Sequence, residues 1–192
     1  MVEVAETRQM KSARLDLFDN SEYHPGPWMK RLIWIFFSGI FFQTYIPWPN
    51  ALKTVLLRWF GSKIGKCVVI KPHVTIKYPW RLIVGDHVWI GENVWIDNLD
   101  TVTIGSHVCI SQGALLLCGN HNYQKPTFDL ITKAISLDDG AWIGAKAVVA
   151  PGVTCHSHSV LALGSVATTD LAAYTVYQGN PAVAKTKRSI HE

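Results

Sequence analysis

One histidine stands in the loop that interrupts the repeating pattern of this sequence and could do chemistry. His121 lies in Gly119-Asn120-His121-Asn122-Tyr123, a polar run from which a side chain can project over a cleft. A neutral imidazole can take a proton from a hydroxyl near neutral pH, the step that acyl transfer to an alcohol requires. The residues alone favour the plainer reading, a surface loop histidine. A second pattern is a column. Cys67, His87 and His107 are spaced 20 residues apart and could share a zinc ion, line a subunit interface or simply stack on the surface. Cys67, Cys109, Cys118 and Cys155 form no CxxC pair and read as reduced packing residues rather than disulfides.

The elements that must hold these residues are announced by a period of six. Val84, Ile90 and Ile96 repeat as Ile104, Ile110 and Leu116, and backwards as Ile64, Ile70 and Ile76. Apolar residues at that interval cannot stay on one face of a helix, and the segment is rich in Val, Ile, Trp and Thr. Gly or Asp after most of the aliphatics suits a corner where φ is positive. Each hexapeptide therefore reads as one short strand and one corner, three to a coil, with two extra residues bulging near Tyr78–Trp80 and Asn98–Asp100. The expected architecture is mainly β: a parallel β-helix over residues 62–170, its aliphatics stacked as an interior ladder. The period stops at residues 117–136, a long insertion expected to be extruded as a functional loop. It resumes at Leu137, Ile143, Val149, Cys155, Leu161 and Ala167, with small interior residues Ala141, Ala147, Val153 and Ser159.

The flanks are of a different kind. Residues 1–27 show no period and read as an arm, and residues 28–61 as a hydrophobic helical region. Within it Leu32 to Phe42 is almost wholly apolar, yet short of the roughly 20 residues a spanning helix needs. It is read as a helix buried against the β-helix or a neighbouring subunit, or as one lying in a membrane interface. A second helix is expected from Asn50 to Phe60, with Asn50 as N-cap and Gly61 as stop. Residues 171–192 read as a tail. Eighteen Lys and Arg against fourteen Asp and Glu is too weak a basic excess for nucleic acid, and no recognition motif supports one. Eight Trp in so short a chain point to surfaces buried against partners. The polar, mixed-charge opening does not read as a cleavable signal, so the expected compartment is the cytoplasm, with a peripheral contact at the inner face of the membrane through residues 28–60.

Taken together, the hexapeptides resemble the hexapeptide-repeat acyltransferases. Gly119-Asn120-His121-Asn122-Tyr123 is similar to the Gly-x-His-Asp-Tyr loop of their colanic-acid-type exopolysaccharide O-acetyltransferases. Ala141-Trp142-Ile143-Gly144, Ala150-Pro151-Gly152-Val153 and Gly179-Asn180-Pro181-Ala182 also match, as do the hydrophobic helices before Ile64-Gly65-Lys66; the resemblance covers residues 28–184. It implies a left-handed β-helix, a homotrimer, and direct acetyl transfer from acetyl-CoA to a sugar hydroxyl, with His121 of one subunit as general base facing the cofactor channel of another. Trp142, Gly144 and Ala145, then Ala162, Gly164, Ser165 and Thr168, match the stretches that line the pantetheine channel. Lys185, Lys187 and Arg188 could neutralise the cofactor phosphates or stay solvated. Asp97, Asn98 and Asn120 are candidate acceptor contacts, or else corner and turn residues.

No metal is expected. Asn122 stands where the group's loop carries an acidic residue, which puts the orienting partner of His121 in question. Three other readings are weighed. One is an O-acetyltransferase for another small acceptor, a simple sugar or a xenobiotic. Another is a non-catalytic trimeric scaffold docked to membrane machinery. A γ-type carbonic anhydrase would need a His-x4-His spacing that His156-Ser157-His158 cannot replace.

Overall fold

Stacking of identical hexapeptides turns the ladder into a three-sided prism. The computed structural model describes residues 12–191. On the first face Ile64 pairs with Val84, Val84 with Ile104, Ile104 with Leu137, and Leu137 with Cys155. On the second, Ile70, Ile90, Ile110, Ile143 and Leu161 follow one another. On the third the order is Ile76, Ile96, Leu116, Val149 and Ala167. The three sheets hold five, seven and five strands, and the coil-to-coil pairings are parallel throughout. All these ladder residues except Ile64 are buried, as are Ala141, Ala147, Val153 and Ser159, so the narrow interior is filled from six-residue spacing alone.

The corners correct one expectation. Gly65, Gly85, Gly91 and Gly105, which follow the aliphatics, do not take positive φ; the left-handed positions come later, at Cys67, His87, Asn93 and His107. The glycines are required for space. A Cβ on Gly85 would lie 2.7 Å from the Gly105 carbonyl carbon, and one on Gly91 2.6 Å from the Gln112 nitrogen. Successive coils come too close at those corners for a side chain.

Two helices precede the prism, α1 (Trp28–Phe41) and α2 (Asn50–Trp59). Their task is to cap the first coil, whose strands would otherwise end in unpaired backbone groups. The Trp34 indole N–H donates to the Ile76 carbonyl (2.8 Å), the Lys53 ammonium to that of Ile70 (2.9 Å), and Arg58 to those of Ile64 and Gly65 (both 2.9 Å). Each of the three sheets thus receives at least one donor. Lys53 is buried, and that burial lowers its pKa. Asn50 is not the N-cap of α2; Pro49 precedes the helix, and the Asn50 side chain instead accepts the Ile70 N–H (2.9 Å). Gly61 does end α2, at φ +102°. The apolar α1 has two fates: Trp34 is buried against Phe42 and Phe60, whereas Ile35 and Phe36 face outward. No described helix is long and apolar enough to cross a membrane.

Residues 171–192 are more than a tail. Thr175–Gly179 adds in parallel to Val160–Leu161 on the second face, and Ala182–Lys187 folds back on it antiparallel. The register of the ladder reaches Tyr177, which pairs with Leu161, although the six-residue text has already ended.

The corner geometry makes a stability prediction. Gly85→Ala lowers stability by about 1–3 kcal/mol through overpacking against the next coil. Gly164→Asn is close to neutral, because no atom lies within 4 Å of a Cβ there and Asn tolerates its φ of +65°. Thermal unfolding of the two variants beside wild type checks the order.

Candidate active site

The insertion folds as a hairpin. Leaving the third face after Leu115–Leu117, the chain pairs Gly119–His121 antiparallel with Leu130–Thr132 and rejoins the first face at Ile135–Leu137. Its base is tied to the prism, since the Cys118 N–H donates to the Asp97 carbonyl (3.2 Å) and the Lys133 N–H to that of Cys118 (3.0 Å). At the tip Asn122 Oδ1 accepts the Gln124 N–H (3.2 Å), a turn-forming contact, and Lys125 pairs with Asp129 (2.7 Å). Lys125, then Thr127, holds the Asp129 carboxyl below its ordinary range.

His121 is half-buried within this hairpin, and its ring is fixed from two sides. Nδ1 lies 2.8 Å from the Phe128 carbonyl oxygen. A carbonyl can only accept, so Nδ1 carries the proton and Nε2 keeps the lone pair. The Phe128 ring stacks on the imidazole at 4.5 Å and 10°, and Phe18 from the arm approaches at 5.8 Å. Phe128 adopts φ +52°, unusual for an aromatic residue, in the turn that brings both its ring and its carbonyl onto His121. The orienting partner is therefore a backbone oxygen. The departure from the family loop at Asn122 does not touch it.

The arm completes one wall. The Arg14 N–H donates to the Pro126 carbonyl (2.8 Å), and the Tyr23 hydroxyl to that of Leu99 (2.7 Å). Arg81 donates to the Tyr23 oxygen (2.9 Å) and to the His24 carbonyl (2.6 Å). Burial pushes the Tyr23 phenol up to about 12, against the opposing pull of Arg81, so it remains a donor at neutral pH. Between arm and hairpin lies a cleft of about 440 Å³, lined by Asp19, Asn20, Glu22, Tyr23, Asp129, Leu130 and Thr132. None of these, nor Phe18, Arg81 or Phe128, was singled out by the sequence. The arm has no period, and the role of Phe128 rests partly on a carbonyl that every residue possesses.

Of the acceptor candidates, Asp97 is buried with one oxygen 2.9 Å from Lys77. Asn98 is fully buried and spends its amide on the Tyr78 backbone, accepting from its N–H (2.9 Å) and donating to its carbonyl (2.6 Å). That is the work of a corner lock. Asn120 is exposed, its Oδ1 accepting the His121 N–H (2.8 Å).

The cofactor candidates gather elsewhere. Trp142 stands outward on the second face and donates to Ser111 Oγ (3.0 Å), beside a groove of about 360 Å³ whose lining includes Trp89, Cys109 and Ser111. Gly144, Ala145, Ala162 and Gly164 form the corner that follows, joined where the Gly164 N–H donates to the Ala145 carbonyl (2.8 Å). Exposed Leu163, open Gly164 and the outward tryptophans line this part of the second face. Ser165 is buried, and Thr168 sits one corner further on. Arg188 donates to the Gly140 (2.9 Å) and His158 (3.2 Å) carbonyls at the corner before the second face, Lys187 donates to Thr175 (2.9 Å), and Lys185 is exposed. His121 leaves the corner between the third and first faces, across the prism from the Trp142–Gly164 strip.

Among the described residues no group of three or more His, Cys, Asp or Glu is arranged to share an ion. Cys67, His87 and His107 each occupy a left-handed corner, and the two imidazoles stack at 5.0 Å. The cysteines are unbridged, and burial pushes the Cys118 thiol up to about 11 and that of Cys155 to about 12.

No family model matches the chain. Among solved structures, a hexapeptide-repeat acetyltransferase from Vibrio cholerae complexed with acetyl coenzyme A aligns with a TM-score of 0.68 at 27% identity, over 76% of this chain and 81% of that one. A galactoside acetyltransferase in complex with coenzyme A shares the fold, with a TM-score of 0.73 at 22% identity over 84% and 82% of the two chains. With its prism of parallel hexapeptide coils, this chain belongs to the hexapeptide-repeat acetyltransferases, which are left-handed β-helices. Membership rests on sequence as well: WcaF of Escherichia coli K12, a protein named for colanic acid biosynthesis as an acetyltransferase, is 41% identical over 131 residues, 68% of this chain and 72% of that protein.

The imidazole geometry is directly measurable. Nitrogen-15 NMR of labelled protein at neutral pH is expected to show a protonated Nδ1 and a pyridine-like Nε2 on His121. Asn122→Asp leaves that tautomer unchanged. A shift to the Nε2–H form in either protein would contradict the Phe128 tether.

Proposed function

We propose that this protein transfers the acetyl group of acetyl-CoA to a hydroxyl of a sugar destined for an exopolysaccharide, with His121 as general base. The single observation that carries the reading is the Nδ1 tether of His121 to the Phe128 carbonyl at 2.8 Å. It leaves Nε2 as an acceptor on a ring that stacks on Phe128 and has Phe18 beside it, which is what a base for a hydroxyl proton requires.

In the proposed step the sugar oxygen attacks the thioester carbonyl while Nε2 takes its proton. The tetrahedral oxyanion then collapses, the carbon–sulfur bond breaks, and the imidazolium returns the proton to the departing thiolate. Acetyl-CoA supplies the activated acyl group; the chain's own residues hold the acceptor and move the proton. The cleft between arm and hairpin suits a polyhydroxylated acceptor, because Asp19, Glu22 and Asp129 offer carboxylate oxygens to hydroxyl donors. Direct transfer accords with raised thiol pKa values at Cys118 and Cys155, which disfavour an acyl-cysteine route.

The same reading calls for more than one copy of the chain. His121 and the Trp142–Gly164 strip lie across the prism from one another, so a base and a cofactor channel meet only when a neighbouring copy supplies the second. A trimer with three equivalent clefts closes such an arrangement.

The test is acetyl transfer with nucleotide sugars, oligosaccharides and lipid-linked sugars as acceptors. His121→Ala is expected to lower kcat by about 10²–10⁴-fold while acetyl-CoA still binds. Unchanged turnover in that variant would defeat the assignment of the base. Failure of the wild type to bind acetyl-CoA would defeat the reading as a whole. Tyr23→Phe, which keeps the ring but removes the hydroxyl that links Arg81 to Leu99, is expected to raise the acceptor KM and leave that of acetyl-CoA unaltered.

A further inference from the structure

Among the described residues nothing covers the outward face of α1, and its composition says what could. Trp28, Met29, Leu32, Ile35 and Phe36 fall on one side of the helix, each between 55% and 66% exposed. Tyr45 and Ile46 just after α1, and Trp59 at the end of α2, are exposed as well. The opposite side of α1 is committed, through Trp34 and Ser38, to the prism. An apolar stripe of this breadth on both sides of one helix exceeds what capping the first coil needs.

Charge separates the candidates for the outer side. Residues 23–85 contain nine of the eighteen Lys and Arg and none of the fourteen Asp and Glu; the acidic residues resume at Asp86, in the second coil. Arg58, Lys63, Lys66 and Lys71 are exposed on α2 and on the first coil, at the end of the prism that α1 caps. A second copy of the chain docked on this face would bring two strongly basic surfaces together with few anions between them, the Asp86 carboxylate that accepts the Lys66 N–H (2.7 Å) being one. An anionic bilayer meets both requirements at once, accepting the apolar side chains below its headgroups and the ammonium groups among its phosphates. Aromatic residues at the margin, Trp28, Tyr45 and Trp59, suit the headgroup level. With 14 residues, α1 is about 21 Å long by the rise of an α-helix, too short for a hydrocarbon core of about 30 Å. It lies on the surface rather than crossing it.

We propose that this face of α1, bordered by Arg58, Lys63 and Lys66, docks the protein onto anionic phospholipid. The docking is independent of acetyl transfer, and its test needs neither donor nor acceptor. Full-length protein is floated with phosphatidylcholine vesicles, with and without phosphatidylglycerol, at low and high salt. Binding is expected only with phosphatidylglycerol and is expected to weaken as salt screens the cations. Ile35→Glu with Phe36→Glu lowers vesicle affinity by about a hundredfold or more, since two large apolar side chains lose their burial. Lys63→Glu with Lys66→Glu weakens binding to phosphatidylglycerol vesicles while the apolar face is intact. Both pairs are exposed, so unchanged circular dichroism and melting establish that the variants are folded.

Wild-type protein that ignores phosphatidylglycerol, or an Ile35→Glu/Phe36→Glu variant that binds as wild type does, overturns the proposal. So does a change of oligomeric state in that variant, measured by light scattering, because it would show that a second copy covers the face. Loss of vesicle binding with intact acetyl transfer, and the converse, keep this proposal distinct from the catalytic one.

Discussion

Everything in this molecule depends on one coil lying in register on the next. A strand of two or three residues has no stability of its own. It persists because Ile90 sits on Ile70 beneath Ile110, and because each backbone N–H turned toward the next coil finds a carbonyl there. Register also explains why the insertion is tolerated. Leu116 and Leu137 bracket it, yet Leu137 pairs with Ile104 as though nothing had intervened, because the chain leaves and re-enters at one corner. A scaffold this repetitive can carry a non-repeating device without distortion. The hairpin with His121 is that device.

The candidate site is built mostly from main chain. A carbonyl orients the His121 imidazole, a left-handed φ at Phe128 lets it do so, and backbone groups of Asp97 and Cys118 anchor the hairpin. Side chains contribute shape: the Phe128 ring below the imidazole, Phe18 beside it, and the Tyr23–Arg81 pair that holds the arm across the corner. An orienting carbonyl carries no charge to titrate. The tautomer of His121 is thus set by geometry over the whole range in which the imidazole is neutral.

This division decides what could be read in advance. The ladder was legible because burial imposes residue type at every sixth position, and the insertion was legible as the place where that demand lapses. His121 stood out as the imidazole inside it. The Phe128 carbonyl did not, since a backbone oxygen leaves no mark on residue choice. Asn50 misled for a related reason: its type fits a helix cap, but a cap and an edge-strand partner ask the same chemistry of the side chain. Cys67, His87 and His107 do share one row of left-handed corners, in which the two imidazoles stack. At Gly85 and Gly91 the residue type was plain and its reason was not, because close approach and positive φ both select glycine. The last part-coil escaped because Thr175–Gly179 and Ala182–Lys187 pair as a hairpin, and hairpin pairing does not require a six-residue period.

The side chains that close the first coil have a consequence for assembly. A stack of parallel coils is a template in both directions, and two such molecules could in principle join end to end without limit. Growth of that kind needs an open donor end on one molecule and an open receiving end on the next. Trp34, Lys53, Asn50 and Arg58 occupy backbone groups of all three strands at one end, so a head-to-tail joint would have to displace them. Closing a single end is enough to forbid a filament. What remains is lateral association along the flanks of the prism, and lateral contacts among identical copies can close into a ring and stop.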